Sequence, residues 1–323
     1  MTGNLPARIR LEASSFCQLK CPSCPTATGA IDAVIGGGFL RREDFRSLLD
    51  SNPWLRGIEL SNYGEAFLNP HLEDILAYAA EKNVAITINN GANLNQVREE
   101  VLEALVKYRV RILRCSIDGA SPETYVQYRV RGDFDRVIAN VKRINDYKRQ
   151  YRSRLPHLIW QFVVFGHNEH EIPVARDMAA SLGMDFVTKI SWDSEISPIR
   201  DRAFVLAQTG SDAVTREEYE ELHGPDYAGG ICRQLWNSPQ INWDGKLLGC
   251  CRNFWGDFGG NAFTQGLGEC LDSEKLNYAR AMLMGEKPAR ADIPCTTCDI
   301  YLGMEKRSQW IEPAASTRSP QSE

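Results

Sequence analysis

No stretch of this 323-residue chain approaches the roughly 18 consecutive apolar residues that a membrane span needs. The opening residues, MTGNLPARIR, lack the apolar run of a secretory leader. Together these gaps lead to the expectation of a cytoplasmic protein with no membrane partner. They also change the meaning of its 10 cysteines, which point to metal binding or redox chemistry in place of disulfides. An excess of positive charge is missing too. With 37 Lys and Arg against 42 Asp and Glu the formal charge is -5, which argues against a broad nucleic-acid surface. Large apolar residues are scarce from Glu312 onward, and the tail 312–323 is expected to be disordered.

What the chain does have is a hydrophobic fraction of 43%, enough to bury a full core. Short β-rich runs at 8–14, 57–62, 84–90, 112–119, 158–165 and 186–193 alternate with helical patterns such as PHLEDILAYAAEKN and NQVREEVLEALVKY. Six such strands separated by helices imply repeated right-handed βαβ units and a parallel sheet. The fold class is therefore α/β, with a partial (β/α)6 barrel as the expected closure. In such a barrel the site lies at the C-terminal ends of the strands. LEASSFCQLKCPSC overlaps and runs past the first strand, NYGEAFLNP follows the second, NNGANL the third, and SIDGA ends the fourth. All four segments thus reach one rim.

The first of them is short of one residue. Cys17, Cys21 and Cys24 stand within eight positions, whereas a zinc site or an iron-sulfur cluster closed by protein takes four ligands. Three thiols leave a metal with one open position, and a three-cysteine zinc site or plain buried thiols are the alternatives. Farther on, Cys232, Cys250, Cys295 and Cys298 fall on a loop-rich stretch whose Asp244-Gly245 pair suits a tight hairpin turn. A metal or cluster would hold so small a module together.

The CxxxCxxC spacing after a first barrel strand resembles that of the radical S-adenosylmethionine (SAM) enzymes. The resemblance implies that Cys17, Cys21 and Cys24 hold a [4Fe-4S] cluster whose open iron takes SAM. It further implies that Gly64 and Glu65 meet the SAM ammonium group and that Ser116 and Asp118 approach its ribose and methionine portions. Arg129 would pair with its carboxylate, and Asn90 or Gly91 would line the pocket. Two positions depart from the family pattern: Ser23 stands where an aromatic residue often precedes the third cysteine, and Ala66 where proline often follows Gly-Glu. The C-terminal cysteines resemble a twitch domain, the short form of the SPASM extension. That implies one auxiliary [4Fe-4S] cluster on Cys232, Cys250, Cys295 and Cys298, with a four-cysteine zinc ribbon as the alternative.

The expected organisation is a barrel over 1–194, a linker over 195–230, a twitch module over 231–311 and the tail. Of the remaining thiols, Cys115 reads as core, Cys270 has no obvious partner, and Cys251 should face away from Cys250. Cys251 is a spare thiol, a substitute ligand or a hydrogen-atom donor. The family chemistry implies a 5'-deoxyadenosyl radical that takes hydrogen from a substrate, with a flavodoxin- or ferredoxin-type electron donor as partner. A small polar substrate, sugar or aminocyclitol-like, fits a compact barrel with one auxiliary cluster, and oxidation of an alcohol with that cluster as acceptor is the expected outcome. Epimerisation with Cys251 as donor, peptide modification, and a non-catalytic iron-sulfur protein are the alternatives. A cyclase reading lacks a Gly-Gly tail, and a peptide reading lacks a winged-helix segment before the first strand. Gln161, His167, Trp192, Asp193 and Glu195 are candidates to touch substrate.

Overall fold

The structure, a computed structural model, describes residues 5–191, 193–224 and 230–312. Trp192 and the tail beyond Glu312 lie outside the described residues. Six parallel strands, β1 (Arg8–Leu11), β2 (Gly57–Glu59), β3 (Ala85–Ala92), β4 (Ile112–Ser116), β5 (His157–Val164) and β6 (Asp185–Ile190), lie side by side in sequence order. Each crossover therefore moves one place in the same direction, which is the winding of a barrel left open at β6.

Alternation along the strands sorts the two faces. Ile9, Leu11, Ile58, Ile86, Ile88, Leu113, Cys115, Trp160 and Phe162 are buried in the main core beneath the helices. Helix Leu72–Glu81 shows why those helices pack there: Leu72, Ile75, Leu76 and Ala79 recur at three- and four-residue spacing and are all buried. The opposite face carries Arg10, Glu12, Glu59, Thr87, Asn89, Arg114, Ser116 and Lys189, so the barrel interior is polar.

Several strands stop short of their expected ends. β1 stops at Leu11, not Ser14, because the chain bends there to pair Ser14 with Phe39. β4 ends at Ser116, although the Ile117 amide still donates to Gln161 at 3.0 Å. Between Ile88 and Ala92 the β3–β4 register shifts, which is the bulge that turns Asn90 outward at the rim.

The C-terminal hairpin forms as its turn residues predict. β7 (Gln240–Ile241) and β8 (Leu247–Gly249) pair antiparallel around Gly245, whose φ of +90° suits glycine. Its placement is a finding of the structure: β7 pairs in parallel with β1 and extends the barrel sheet to eight strands. Arg10 Nε donates to Gln240 Oε1 at 3.1 Å across 230 positions of sequence. Leu235, Ile241, Leu247, Phe258, Leu283 and Tyr301 join the barrel core, so the module shares a core where the sequence leads one to expect little. The segment between contains helices Arg202–Thr209 and Arg216–His223, capped by Asp201 and Thr215. It is tied to the barrel through Glu169, which accepts from the amides of Arg200 and Asp201 at 2.9 Å each.

Candidate functional site

The loop after β1 carries Cys17, Cys21 and Cys24 against a wall of Leu19, Tyr128, Val163 and Phe165. Two N–H donors reach its sulfurs: Asn93 Nδ2 lies 3.7 Å from Cys17 Sγ and Arg129 Nη1 lies 3.8 Å from Cys21 Sγ. Burial first, then Glu65, pushes the Cys17 thiol up to about 12, and burial likewise raises Cys21 despite Arg129. Such thiols lose their protons only when something takes the charge, so a metal loading here must expel protons.

The loop after β2 is fastened beneath them. The amides of Tyr63 and Gly64 donate to the Glu12 carboxylate at 3.0 and 3.2 Å. A side chain at Gly64 would stand 2.0 Å from the Ser14 carbonyl oxygen, so only glycine lets the two loops approach. Glu65 is buried and accepts from the Phe67 amide at 3.2 Å and the Asn93 amide at 2.6 Å, which clamps the second rim loop to the third. Burial, partly offset by those two amides, lifts its carboxyl to about 7. Glu12 is lifted further, to about 8, by the same cause.

On the far side Arg129 Nε donates to Asp118 Oδ2 at 2.6 Å, and Asp118 Oδ1 accepts from the Val163 amide at 2.7 Å. Burial opposes the charge on Arg129, yet Asp118 and the Cys21 sulfur hold its pKa above the usual arginine value. Ser116 lies beside Gln161 at 3.4 Å and beneath Gly91, whose φ of +111° suits glycine. Ser23 Oγ and Tyr128 Oη share a 2.8 Å hydrogen bond, and Tyr128 packs on Phe165 with ring centroids 4.4 Å apart. His167 continues that stack at 5.2 Å; its Nε2 is buried with no hydrogen-bond partner among the described residues. Asp193 and Glu195 form a local turn through the Glu195 amide and Asp193 Oδ1.

A second set of thiols meets in a small cavity lined by Cys232, Cys250, Cys295 and Cys298, with Leu235, Phe258, Leu283 and Tyr301 around them. Burial raises Cys250 to about 12 and raises Cys295 as well, with mutual repulsion among the sulfurs adding to both. Cys251 does not line this cavity. Its amide donates to Gln234 Oε1 at 2.8 Å, and its carbonyl accepts from Asn62, which also accepts from Asn90 at the end of β3. Cys115 is core, and Cys270 is buried in a short helix. Among the described residues no three His, Cys, Asp or Glu side chains gather tightly enough to close on a single metal ion.

The family model for the radical SAM superfamily matches residues 11–178. The chain belongs to the radical SAM superfamily. An AdoMet-dependent heme synthase of Methanosarcina barkeri is 25% identical over 227 residues, 68% of this chain and 57% of that relative, so the chain spans little more than half of its length. Among solved structures, SuiB of Streptococcus suis bound to S-adenosylmethionine is similar at 16% identity and TM-score 0.63, over 93% of this chain and 72% of that one. Native anSMEcpe with bound AdoMet is similar at 14% identity and TM-score 0.57, over 93% and 97%. These likenesses extend over the fold.

A radical SAM enzyme carries a [4Fe-4S] cluster and SAM, and the residues here suit that pair. A cubane spreads its thiolates over separate irons, and the first loop offers three sulfurs, Cys21 buried and Cys17 and Cys24 half-buried, with N–H donors approaching Cys17 and Cys21. Sequence reasoning missed Glu12, Asn93 and Tyr128. Glu12 had a signal, since alternation through RIRLEAS puts Arg8, Arg10 and Glu12 on one strand face; Asn93 and Tyr128 had none beyond belonging to polar rim segments.

Proposed function

We propose that this radical SAM enzyme reductively cleaves SAM at a cluster held by Cys17, Cys21 and Cys24 and abstracts hydrogen from a small polar substrate of sugar or aminocyclitol type. Cys232, Cys250, Cys295 and Cys298 would hold an auxiliary [4Fe-4S] cluster able to take the second electron while the hydroxyl proton passes to solvent, so that an alcohol would leave as a ketone. When bound, the first cluster and SAM supply a 5'-deoxyadenosyl radical, and the second cluster supplies a one-electron sink. The observation that carries the reading is the attachment of the four-cysteine module to the barrel through β1 and β7, whose first strand leads into the three-cysteine loop.

The chain's own groups prepare the site. Gly64, Glu65, Asn90, Ser116, Asp118 and Arg129 are the residues we assign to SAM beside the first cysteines. Arg129, fixed by Asp118, offers a planar cation to a carboxylate. Tyr128 and Phe165 keep water from one side of the cysteine loop. A single zinc on the same four cysteines is the alternative, and the metal content of the reconstituted protein distinguishes the two.

One observation favours epimerisation as a second reading: Cys251 does not line the four-cysteine cavity, its Sγ accepts from Gln234 Nε2 at 3.4 Å, and its carbonyl is tied through Asn62 to Asn90 at the β3 rim. The relative named as a heme synthase and SuiB, solved with a precursor peptide, extend the range of substrates worth testing. No helix among the described residues is long and apolar enough to cross a membrane, and we place the enzyme in the cytoplasm with a flavodoxin or ferredoxin as reductant. Anaerobic turnover in D2O against a panel of polyols, sugars and peptides tests the proposal. A product lighter by one H2 is expected. An isomer that gains a deuterium, and loses that ability in Cys251→Ala, overturns oxidation in favour of epimerisation.

A further inference from the structure

We propose that Arg252 donates its Nε–H to the auxiliary cluster of Cys232, Cys250, Cys295 and Cys298 and thereby makes that cluster easier to reduce. The inference rests on the reading of those four cysteines as a cluster site and adds the residue that sets its potential.

Besides the thiols, Arg252, Asn253, Trp255 and Tyr301 bring side-chain N–H or O–H donors to the wall of the four-cysteine cavity. All but the first are engaged elsewhere. Asn253 Nδ2 donates to the carbonyls of Leu248 and Gly256 at 2.7 and 2.8 Å, and Trp255 Nε1 donates to the Pro294 carbonyl at 2.9 Å. Tyr301 Oη lies 3.5 Å from Glu305 Oε1. Arg252 Nε is enclosed by protein and has no acceptor among the described residues. An enclosed N–H normally has an acceptor, and the acceptors this wall offers are the cysteine sulfurs and what they hold.

The chain fixes Arg252 between two of the cysteines. Burial and then Cys251 raise the Cys250 thiol, while the backbone amide of Arg252 hydrogen-bonds to it and works the other way. At its far end the guanidinium pairs through Nη2 with Asp299 Oδ2, and Asp299 Oδ1 lies 3.6 Å from Cys298 Sγ. The Arg252 side chain is 24% exposed, so the ion pair stands at the edge of the cavity with Nε on its enclosed side.

Four thiolates make a cubane anionic, and taking one electron makes it more so. An N–H donor therefore favours the reduced form, and hydrogen bonds to sulfur are one of the levers by which a protein raises a cluster potential. A bond from a guanidinium, away from water, is stronger than one from a neutral amide. Asp299 offsets the guanidinium charge, which leaves the Nε–H as the larger contribution. In the oxidation proposed above the electron comes from the substrate radical, and a higher potential helps the cluster take it.

Redox titration of the reconstituted holoprotein with titanium(III) citrate, followed by electron paramagnetic resonance, tests this. The signal that SAM leaves unchanged belongs to the auxiliary cluster, and the SAM-responsive signal serves as the internal control. In Arg252→Met, and in Arg252→Lys, which keeps the charge without the Nε–H, the ratio of reduced to oxidised auxiliary cluster at a fixed potential should fall at least about tenfold, or about 59 mV. The first cluster should not move. On wild-type protein isotope-labelled at arginine Nε, hyperfine spectroscopy of the reduced auxiliary cluster should show coupling to the labelled nitrogen, a measurement that needs no variant to fold. An auxiliary potential unchanged in Arg252→Lys, equal shifts of both clusters, or no coupling to the labelled nitrogen overturns the proposal. Failure of the underlying cluster reading is seen separately, as zinc in place of iron and no second signal.

Discussion

Arg129 joins the cysteine loop to the end of β4, and its removal has a cost that follows from its surroundings. The Asp118 side chain is 0% exposed and that of Arg129 is 15% exposed, at a separation of 2.6 Å. In Arg129→Met one Asp118 oxygen keeps the Val163 amide while the other loses its cation in a place without solvent. Breaking a buried pair from one side costs about 3–5 kcal/mol. Arg129→Met together with Asp118→Asn removes the stranded charge and should recover about 2 kcal/mol of that loss. Anaerobic denaturation followed by tryptophan fluorescence, on wild type, both single variants and the double variant, measures the coupling. A loss in Arg129→Met below about 1 kcal/mol, the size typical of exposed pairs, would refute the reasoning. So would strict additivity in the double variant.

Two further outcomes follow from the site. Anaerobically reconstituted protein should hold about eight iron atoms, with about four left when Cys17, Cys21 and Cys24 are all replaced by Ala, as two cubanes require; zinc beside only four irons in wild type would remove the auxiliary cluster. The apoprotein should lose stability as pH rises from 5 to 8. Glu12 ordinarily ionises near 4.5 but is lifted to about 8 by burial, so the folded chain keeps a proton that the unfolded chain releases across that window. The loss should be on the order of 2 kcal/mol or more, and Glu12→Gln, which has no proton to release, should reduce it to the part that Glu65, lifted to about 7, contributes. An unchanged pH slope in that variant would contradict the assignment.

Local features of the fold are legible in the amino-acid sequence. The three first-loop cysteines are close in sequence, six strands alternate with helices, and Asp244-Gly245 makes the turn it predicts. The rest depends on contacts that leave no local trace. The pairing of β1 with β7 joins residues 230 positions apart, so the cysteine module reads as separate although the sheet runs through it. Arg216 lies in what reads as a linker, and only the docking of that segment brings it to β6. Glu65 is recognisable from its Gly-Glu pair, but its clamp between the Phe67 and Asn93 amides needs the third rim loop in place. Charged residues on barrel strands, such as Glu12, Arg114 and Lys189, look like solvated positions in the sequence because only the sheet's winding turns that face inward.

The most direct test of the central claim is 5'-deoxyadenosine formation from SAM by the reduced, reconstituted protein. Wild type should form it, Cys298→Ala should retain part of that activity because its change lies in the second module, and Cys21→Ala should form none. Formation by Cys21→Ala at the wild-type rate would contradict the assignment of the first three cysteines and the mechanism built on it.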